Sequence, residues 1–469
     1  MRNSQNKRYQ EYLDILNASG VYKNAFKNTC EIFLKKKGEN LQLDSKLYLM
    51  VFAPTLVGFV KWVIEHAIQN GKERLYFLSR DGYQMYLIAK YFVEKENIPI
   101  ECRYLYVSRY SMRIPGYHLD IEKGIDSICV GGIDVTLIKI LKRGGLTEDE
   151  CNEVVGELRL GELQDKILNY HQIMKLKEQL YDSKYLRRYM LKHSKEAYDN
   201  TIGYLTQEGL CVDDRFAIVD SGWIGTLQSS IEKLVQSVNL ETKIDGYYFG
   251  MYDKPIEMDK SQFNTYYFSA KKGVSRKIRF SNSLFETIVS SEEGMTIGYV
   301  KDCNKYIPVF NESKNPNLDQ MKRNIEALKI FLQCIEFEED LRNSKTMNQK
   351  LAEQLLSRFM SNPTMLECSC YGNNLFTDDV LDGAYKEVAT KLTWQQIKDQ
   401  RFVNKILSVL GIKKTTIYES AWLEGSVVRA INNDATIDKI KKGKKLSSEF
   451  KHIRAYKRFV FLRKQMKRK

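Results

Sequence analysis

Hydrophobic and polar positions follow two rhythms along this chain. One is helical. Apolar residues recur every three to four positions over Arg8–Leu16 and Tyr22–Phe33. Over Leu47–Ile68 they are so dense that the segment predicts a long amphipathic or buried helix, with Asp44-Ser45 as N-cap and Asn70-Gly71 as an αL-type stop. The other rhythm is a short unbroken apolar run between turns, the mark of a buried strand. It occurs at Arg74–Leu78, Arg103–Val107, Phe216–Val219 and Ile244–Gly250, with Thr265–Phe268 as an edge strand. A helix over Tyr83–Val93 joins the first two runs. Strand, turn, helix and strand make half of a doubly wound unit, whose ligands bind beyond the carboxyl ends of the strands.

Between the second and third strands, residues 118–210 read as a helical insertion. Helices are expected at Asp134–Leu141, from Thr147, and from about Leu163 to Thr206, with Gly209 as a stop. After the sheet, Phe285–Val289 reads as helix, and Ile297–Val300 with Tyr306–Val309 as a closing hairpin. Further helices are expected over Leu318–Phe337, Lys345–Met360, 376–393 and 401–410. The expected fold is α/β: a parallel-sheet, Rossmann-like core with a helical insertion and a helical C-terminal domain. The boundaries are a helical segment 1–45, a core 46–310, a helical domain 311–438 and a tail 439–469. With 469 residues, two or three domains are expected. No period of 20–50 residues marks a solenoid.

Composition sharpens this in three places. The net charge is +14, but Lys439 to Lys469 carries 14 Lys/Arg against the single acid Glu449, so the body is nearly neutral. The tail reads as a basic helix carrying Phe450, Ile453, Tyr456, Phe459, Val460 and Leu462. It suits an anionic membrane surface, with Phe459, Val460 and Leu462 buried there, better than nucleic acid, because the body offers no second basic patch; a merely solvated tail is the third alternative. The nine cysteines are scattered without ligand spacing, and only five histidines occur, so reduced thiols and no zinc site are expected. The N-terminus lacks an apolar h-region, and Leu47–Ile68 carries Pro54, Lys61, Glu65 and His66, so neither a signal peptide nor a membrane span is expected.

Candidate chemistry gathers where strands end. Ser79-Arg80-Asp81-Gly82 follows the first strand, Ser108-Arg109 the second, and Asp220-Ser221-Gly222-Trp223-Ile224-Gly225-Thr226 the third. If the strands are parallel neighbours, the three clusters share one crevice. Arginine forks suit phosphate oxygens. A glycine-containing turn opening a helix at Thr226 offers backbone N–H groups and a dipole to an anion. Gly82, Gly222 and Gly225 would allow close approach of a ligand. Ser221 and Thr226 can donate to a phosphate, while Asp81 and Asp220 can hold magnesium or accept from ribose hydroxyls. The combination implies a ligand with both phosphate and sugar. There is no Gly-x-x-x-x-Gly-Lys-Ser/Thr loop.

In these residues the chain resembles the type I phosphoribosyltransferase fold, with Leu75–Tyr83 in the place of the pyrophosphate loop and Ile218–Thr226 in the place of the ribose 5-phosphate loop. It departs from that pattern in its single acid, Asp220, its Trp223 and a shorter turn. It is also similar, over roughly residues 47–300, to bacterial polysaccharide-cluster proteins often labelled haloacid dehalogenase superfamily hydrolases. Their Gly-Pro…Phe…Trp-Leu, Phe-Leu-Ala-Arg-Asp-Gly, Ser-Arg and Asp-x-Gly-Trp-x-Gly-Thr series is matched by Ala53-Pro54…Phe59…Trp62-Val63, Phe77–Gly82, Ser108-Arg109 and Asp220–Thr226.

The resemblance implies a glycosyltransferase of surface-polysaccharide synthesis. It would move a 5-phosphoribosyl group from phosphoribosyl pyrophosphate, with Mg2+, to a lipid-linked glycan acceptor at the inner face of the cell membrane. Asp220, Asp81 and Arg80 would be catalytic, with Asp81 and Asp220 at the metal. Ser79, Gly82, Ser108 and Arg109 would serve the pyrophosphate, and Ser221, Gly222, Trp223, Gly225 and Thr226 the ribose phosphate. Asp81 and Glu286 are the candidates for an acceptor base. A separate phosphatase is expected, because neither acidic strand end has the second aspartate of an Asp-x-Asp motif. Two alternatives stand beside it: a haloacid dehalogenase-like phosphohydrolase with Asp81 as nucleophile, and a non-catalytic scaffold of a membrane glycan assembly.

Overall fold

The computed structural model describes residues 2–131, 134–255, 257–312, 314–335, 344–377, 385–399, 401–409, 420–433 and 438–466. Its centre is a five-stranded, wholly parallel sheet: β1 (Arg74–Leu78), β2 (Glu101–Leu105), β3 (Phe216–Asp220), β4 (Asp245–Gly250) and β5 (Phe263–Phe268), in the order β2-β1-β3-β4-β5. The protein is therefore mixed α/β with a doubly wound, Rossmann-like sheet. From β1 the chain runs outward to β2 on one side, then returns to β3 on the other. The switch point lies between β1 and β3, which pair Arg74 with Phe216 through Phe77 with Val219.

Alternation along the strands explains the two layers. Leu75, Phe77, Ala217, Val219, Tyr247 and Phe249 enter one hydrophobic cluster, while Tyr76, Leu78, Phe216 and Ile218 enter another on the opposite face. The first cluster is organised by the helix Leu43–Gln69. Twenty-seven residues long with a mean of few polar side chains, it is the one helix among the described residues long and apolar enough to cross a membrane, and 94% of its apolar window is buried in the protein. It packs against the N-terminal helices, the sheet and the C-terminal helices. The helix starts one turn earlier than expected. Asp44 is not its cap but an ion-pair partner of Arg323 at 2.6 Å, and Gln42 holds the N-cap position.

Residues of the insertion form their own cluster, from Ile114 to Met190. Its helices start later than the hydrophobic rhythm suggested, at Leu137 and Tyr170, because Thr136 and Asn169 cap them; Ser183 opens the next, Lys184–Gln207. The hairpin β6 (Thr296–Asp302) and β7 (Lys305–Phe310) stands apart from the main sheet. The helix expected over 376–393 is replaced by a small hairpin, β8 (Leu375–Phe376) and β9 (Lys386–Glu387); the intervening 378–384 lie outside the described residues. Val388 and Ala389 are apolar because they are buried in the core, not because they line a helix: the Trp422 backbone N–H donates to the Val388 carbonyl at 2.7 Å.

The basic C-terminal segment is a helix, Lys439–Met466, but not a free one. Phe450, Ile453 and Phe461 are buried against the body, Arg401 pairs with the buried Glu449, and Lys457 pairs with the buried Glu424 at 2.8 Å. Phe459 and Leu462 stay exposed, beside Lys441, Lys444, Lys451 and Arg458. All nine cysteines are free thiols.

Candidate functional site

The carboxyl ends of β1, β2 and β3 open into one cavity of about 410 Å³, the size of a small-ligand site. Ten of the twelve site residues expected from sequence line it; Gly82 and Ser221 lie buried directly behind the lining. The residues after β1, β2 and β3 form a floor at the switch point, where doubly wound sheets bind their ligands.

The two serines of the floor are structural. Beyond the end of β1, the Ser79 hydroxyl donates to the Val107 carbonyl at 2.8 Å and accepts from the Val107 N–H at 3.0 Å. This side-chain pairing replaces the last two residues of the strand expected to reach Val107. Ser108 caps the short helix Arg109–Arg113, accepting from the Ser111 N–H at 3.0 Å and donating to the Thr296 carbonyl at 2.6 Å. Both loops are thereby held to neighbouring elements, which sets where Arg80 and Arg109 leave the backbone. Two non-proline cis peptide bonds fall in the floor, Ser79-Arg80 and Gly222-Trp223.

Asp81 and Asp220 are joined through one serine. The Ser221 hydroxyl donates to Asp81 Oδ2 at 2.6 Å, and the Ser221 N–H donates to Asp220 Oδ1 at 2.8 Å. Burial pushes both carboxyls above the ordinary range. Ser221, Arg80 and Arg109 pull Asp81 back, whereas the neighbouring charges of Asp81 and Glu286 push Asp220 higher. A divalent cation between the two acids would relieve that repulsion. Among the described residues no group of three or more His, Cys, Asp or Glu could hold a metal ion. The pair fits magnesium, which takes one or two carboxylates and completes its shell with phosphate and water.

Three arginines stand at this end of the sheet: Arg80 and Arg109 line the cavity with the acids, and Arg113 reaches Thr226 from outside the lining. Among the described residues none of them forms an ion pair. Arg113 donates to the Thr226 hydroxyl at 3.3 Å, and burial pulls its guanidinium down to about 10, with Arg109 and Arg143 adding to the effect. Arg80 and Arg109, which act on Asp81 without closing an ion pair, favour an anionic ligand in the cavity. Arg113 escaped the sequence reading because it stands four residues beyond the Arg109 strand end, with no pattern to mark it.

The turn after β3 is shaped by packing. Gly222 has φ +144°, and a Cβ there would lie 2.1 Å from the Gly250 carbonyl oxygen; one on Gly225, at φ +70°, would lie 2.5 Å from the Phe263 ring. These glycines are required by the close seat of the turn on β4 and β5. Trp223 stacks on Phe268 and donates its indole N–H to Glu286 Oε1 at 2.6 Å. The helix Thr226–Gln236 then begins with no side-chain cap, so its first N–H groups and its dipole favour an anion over the floor.

Beyond the floor, the rest of the lining forms a wall of different origin. The helix Asn282–Ile288 contributes Asn282, Ser283 and Glu286, and the segment 315–317 and β8 contribute Asn315, Asn317 and Phe376. Asn317 clasps β8 like a strand neighbour: its amide donates to the Leu375 carbonyl at 2.8 Å and its carbonyl accepts from the Leu375 N–H at 2.9 Å. Thr296, next to Ser108, also lines the cavity and has a buried hydroxyl with no hydrogen-bond partner among the described residues. None of these residues belongs to a strand-end motif; of them only Glu286 was a sequence candidate.

No protein-family model matches the chain, and no curated protein matches it. The functional reading therefore stands on the cavity.

Proposed function

We propose that the protein is a glycosyltransferase of phosphoribosyltransferase type. It transfers a 5-phosphoribosyl group from phosphoribosyl pyrophosphate to a hydroxyl of a glycan acceptor, in the synthesis of a bacterial surface polysaccharide. The observation that carries this reading is the pair of cavity-lining arginines, Arg80 and Arg109, without ion pairs beside two acids joined through Ser221 at the sheet's switch point. Arg80 and Arg109 neutralise the departing pyrophosphate. The uncapped helix at Thr226, with Arg113, binds the 5-phosphate, and Asp220 accepts from the ribose hydroxyls. Magnesium, when held by Asp81 and Asp220, adds charge stabilisation of the leaving group.

A phosphohydrolase using Asp81 as nucleophile is less well supported, because the Ser221 hydroxyl occupies one Asp81 oxygen and no second acid stands two residues on. Calorimetric titration with phosphoribosyl pyrophosphate and magnesium tests the donor site. Wild type is expected to bind and Asp220→Asn to bind at least about tenfold more weakly, the loss of one charge-assisted hydrogen bond or more. Equal binding by both would remove Asp220 from the site, and no binding by wild type would remove the donor.

In the same reading the exposed basic face of Lys439–Met466 rests on the anionic inner face of the cell membrane, where a lipid-linked acceptor lies, and a separate phosphatase removes the 5-phosphate. Co-sedimentation with phosphatidylserine vesicles that weakens as salt rises is the expected result. Sedimentation indifferent to Lys444→Glu/Lys451→Glu would exclude this face.

A further inference from the structure

Charge is divided sharply across the cavity. Among the described lining residues, Arg80, Asp81, Arg109 and Asp220 belong to the floor, and Glu286 is the one charged group elsewhere. The segments 315–317 and 375–377, with Tyr385, bring only amides, hydroxyls, a proline and apolar or aromatic side chains. Asn282 and Ser283 have side chains without hydrogen-bond partners among the described residues. Glu286 stands on the boundary. Trp223, from the floor, holds its carboxylate through the 2.6 Å indole hydrogen bond.

A wall of neutral donors, acceptors and aromatic rings matches a ligand with many hydroxyls, apolar C–H faces and no charge. An acceptor carrying phosphate or carboxylate would find no cation among the described residues on that side.

We propose that this wall is the acceptor site, that it takes an uncharged glycosyl unit, and that Glu286 removes the proton of the attacking hydroxyl. The step rests on the donor reading above. The acceptor oxygen bonds to C1 of the ribose as the C1–O bond to pyrophosphate breaks, and its electron pair leaves with the pyrophosphate. The acceptor's proton passes to Glu286. Trp223 is a positioning residue for that carboxylate. The inference also gives the C-terminal helical part a role: through Asn317 and β8 it presents the neutral side of the site.

Two measurements keep this inference apart from the donor reading. Saturation-transfer NMR with methyl α-D-mannopyranoside and methyl β-D-galactopyranoside needs no donor. Wild type is expected to give signals that Asn282→Ala and Phe376→Ala reduce severalfold, while methyl glucuronide and adenine give none. Stronger signals from the charged glycoside or the nucleobase, or no signal from either neutral glycoside, would overturn the acceptor assignment, whether or not phosphoribosyl pyrophosphate binds. Where the donor binds, pyrophosphate release in the presence of the responding glycoside tests Glu286. Glu286→Gln is expected to lower kcat about 100-fold, with donor Kd and acceptor KM held within twofold, and Trp223→Phe to lower kcat about tenfold. Unchanged kcat in Glu286→Gln would overturn its role as proton acceptor.

Discussion

The floor and the wall of the cavity are built by opposite means. The floor is local: each charged residue lies within a few positions of a strand's carboxyl end, and the parallel register of β1, β2 and β3 delivers them together. The wall is remote: its residues come from segments near 282, 315 and 375, united only because the C-terminal helices bury their apolar faces on the Leu43–Gln69 helix. A site assembled from strand ends is specified by the sheet and tolerates little change. A site assembled by docked helices depends on packing at a distance, and leaves more freedom to alter what it holds.

That contrast can be broken most forcibly at the turn shared by both. Gly222→Ala places a Cβ 2.1 Å from the Gly250 carbonyl oxygen. A loss of about 3 kcal/mol or more is expected, from combined strain and overpacking, read as a large fall in thermal midpoint. Next, Arg109→Ala should weaken phosphoribosyl pyrophosphate binding by about 2 kcal/mol, roughly 30-fold, as for a hydrogen-bonded charge, and leave glycoside signals unchanged. Phe376→Ala should do the reverse, and a variant that lost both ligands would erase the division between floor and wall. A smaller effect is expected for Asn317→Ala, which removes two hydrogen bonds to Leu375. It should cost about 1–2 kcal/mol and raise acceptor KM without changing donor Kd.

The smallest expected effect is a pH dependence confined to the floor. Asp220 has its folded carboxyl raised by burial and by Asp81. The folded state therefore holds its proton more tightly than the unfolded chain. Stability falls as pH rises from the ordinary carboxylate range, near 4, toward the raised one. Asp220→Asn should remove part of that fall, raising the thermal midpoint at neutral pH and leaving it unchanged near pH 4. A midpoint gain equal at both values would show that the charge of Asp220 is not what the floor strains against.

Legibility in the sequence follows the same division. β1 and β3 stand where their apolar runs predict, and with them Ser79, Arg80, Asp81 and Asp220, because a buried parallel strand writes an unbroken signal and its end is the functional position. Arg109 was visible for the same reason. Arg113 was not, since a five-residue helix has no periodicity to read. The hairpin of β8 and β9 hides in a helical pattern because Val388, Ala389 and Leu392 have helical spacing while serving burial in an irregular segment. Nothing local marks Asn282, Asn317 or Phe376. Their relation to the floor exists only after the core around Leu43–Gln69 has closed.

That closure has a temporal side. The Leu43–Gln69 helix leaves the ribosome early, but Arg323, Phe359 and Tyr371, which pair with or pack on Asp44 and Phe52, lie far downstream. At a synthesis rate of about 5–20 residues per second, this long apolar helix waits roughly 15–60 s for its downstream cover. Each nascent chain thus passes through an interval in which a membrane-length apolar segment is only partly covered, by the N-terminal helices and the first strands.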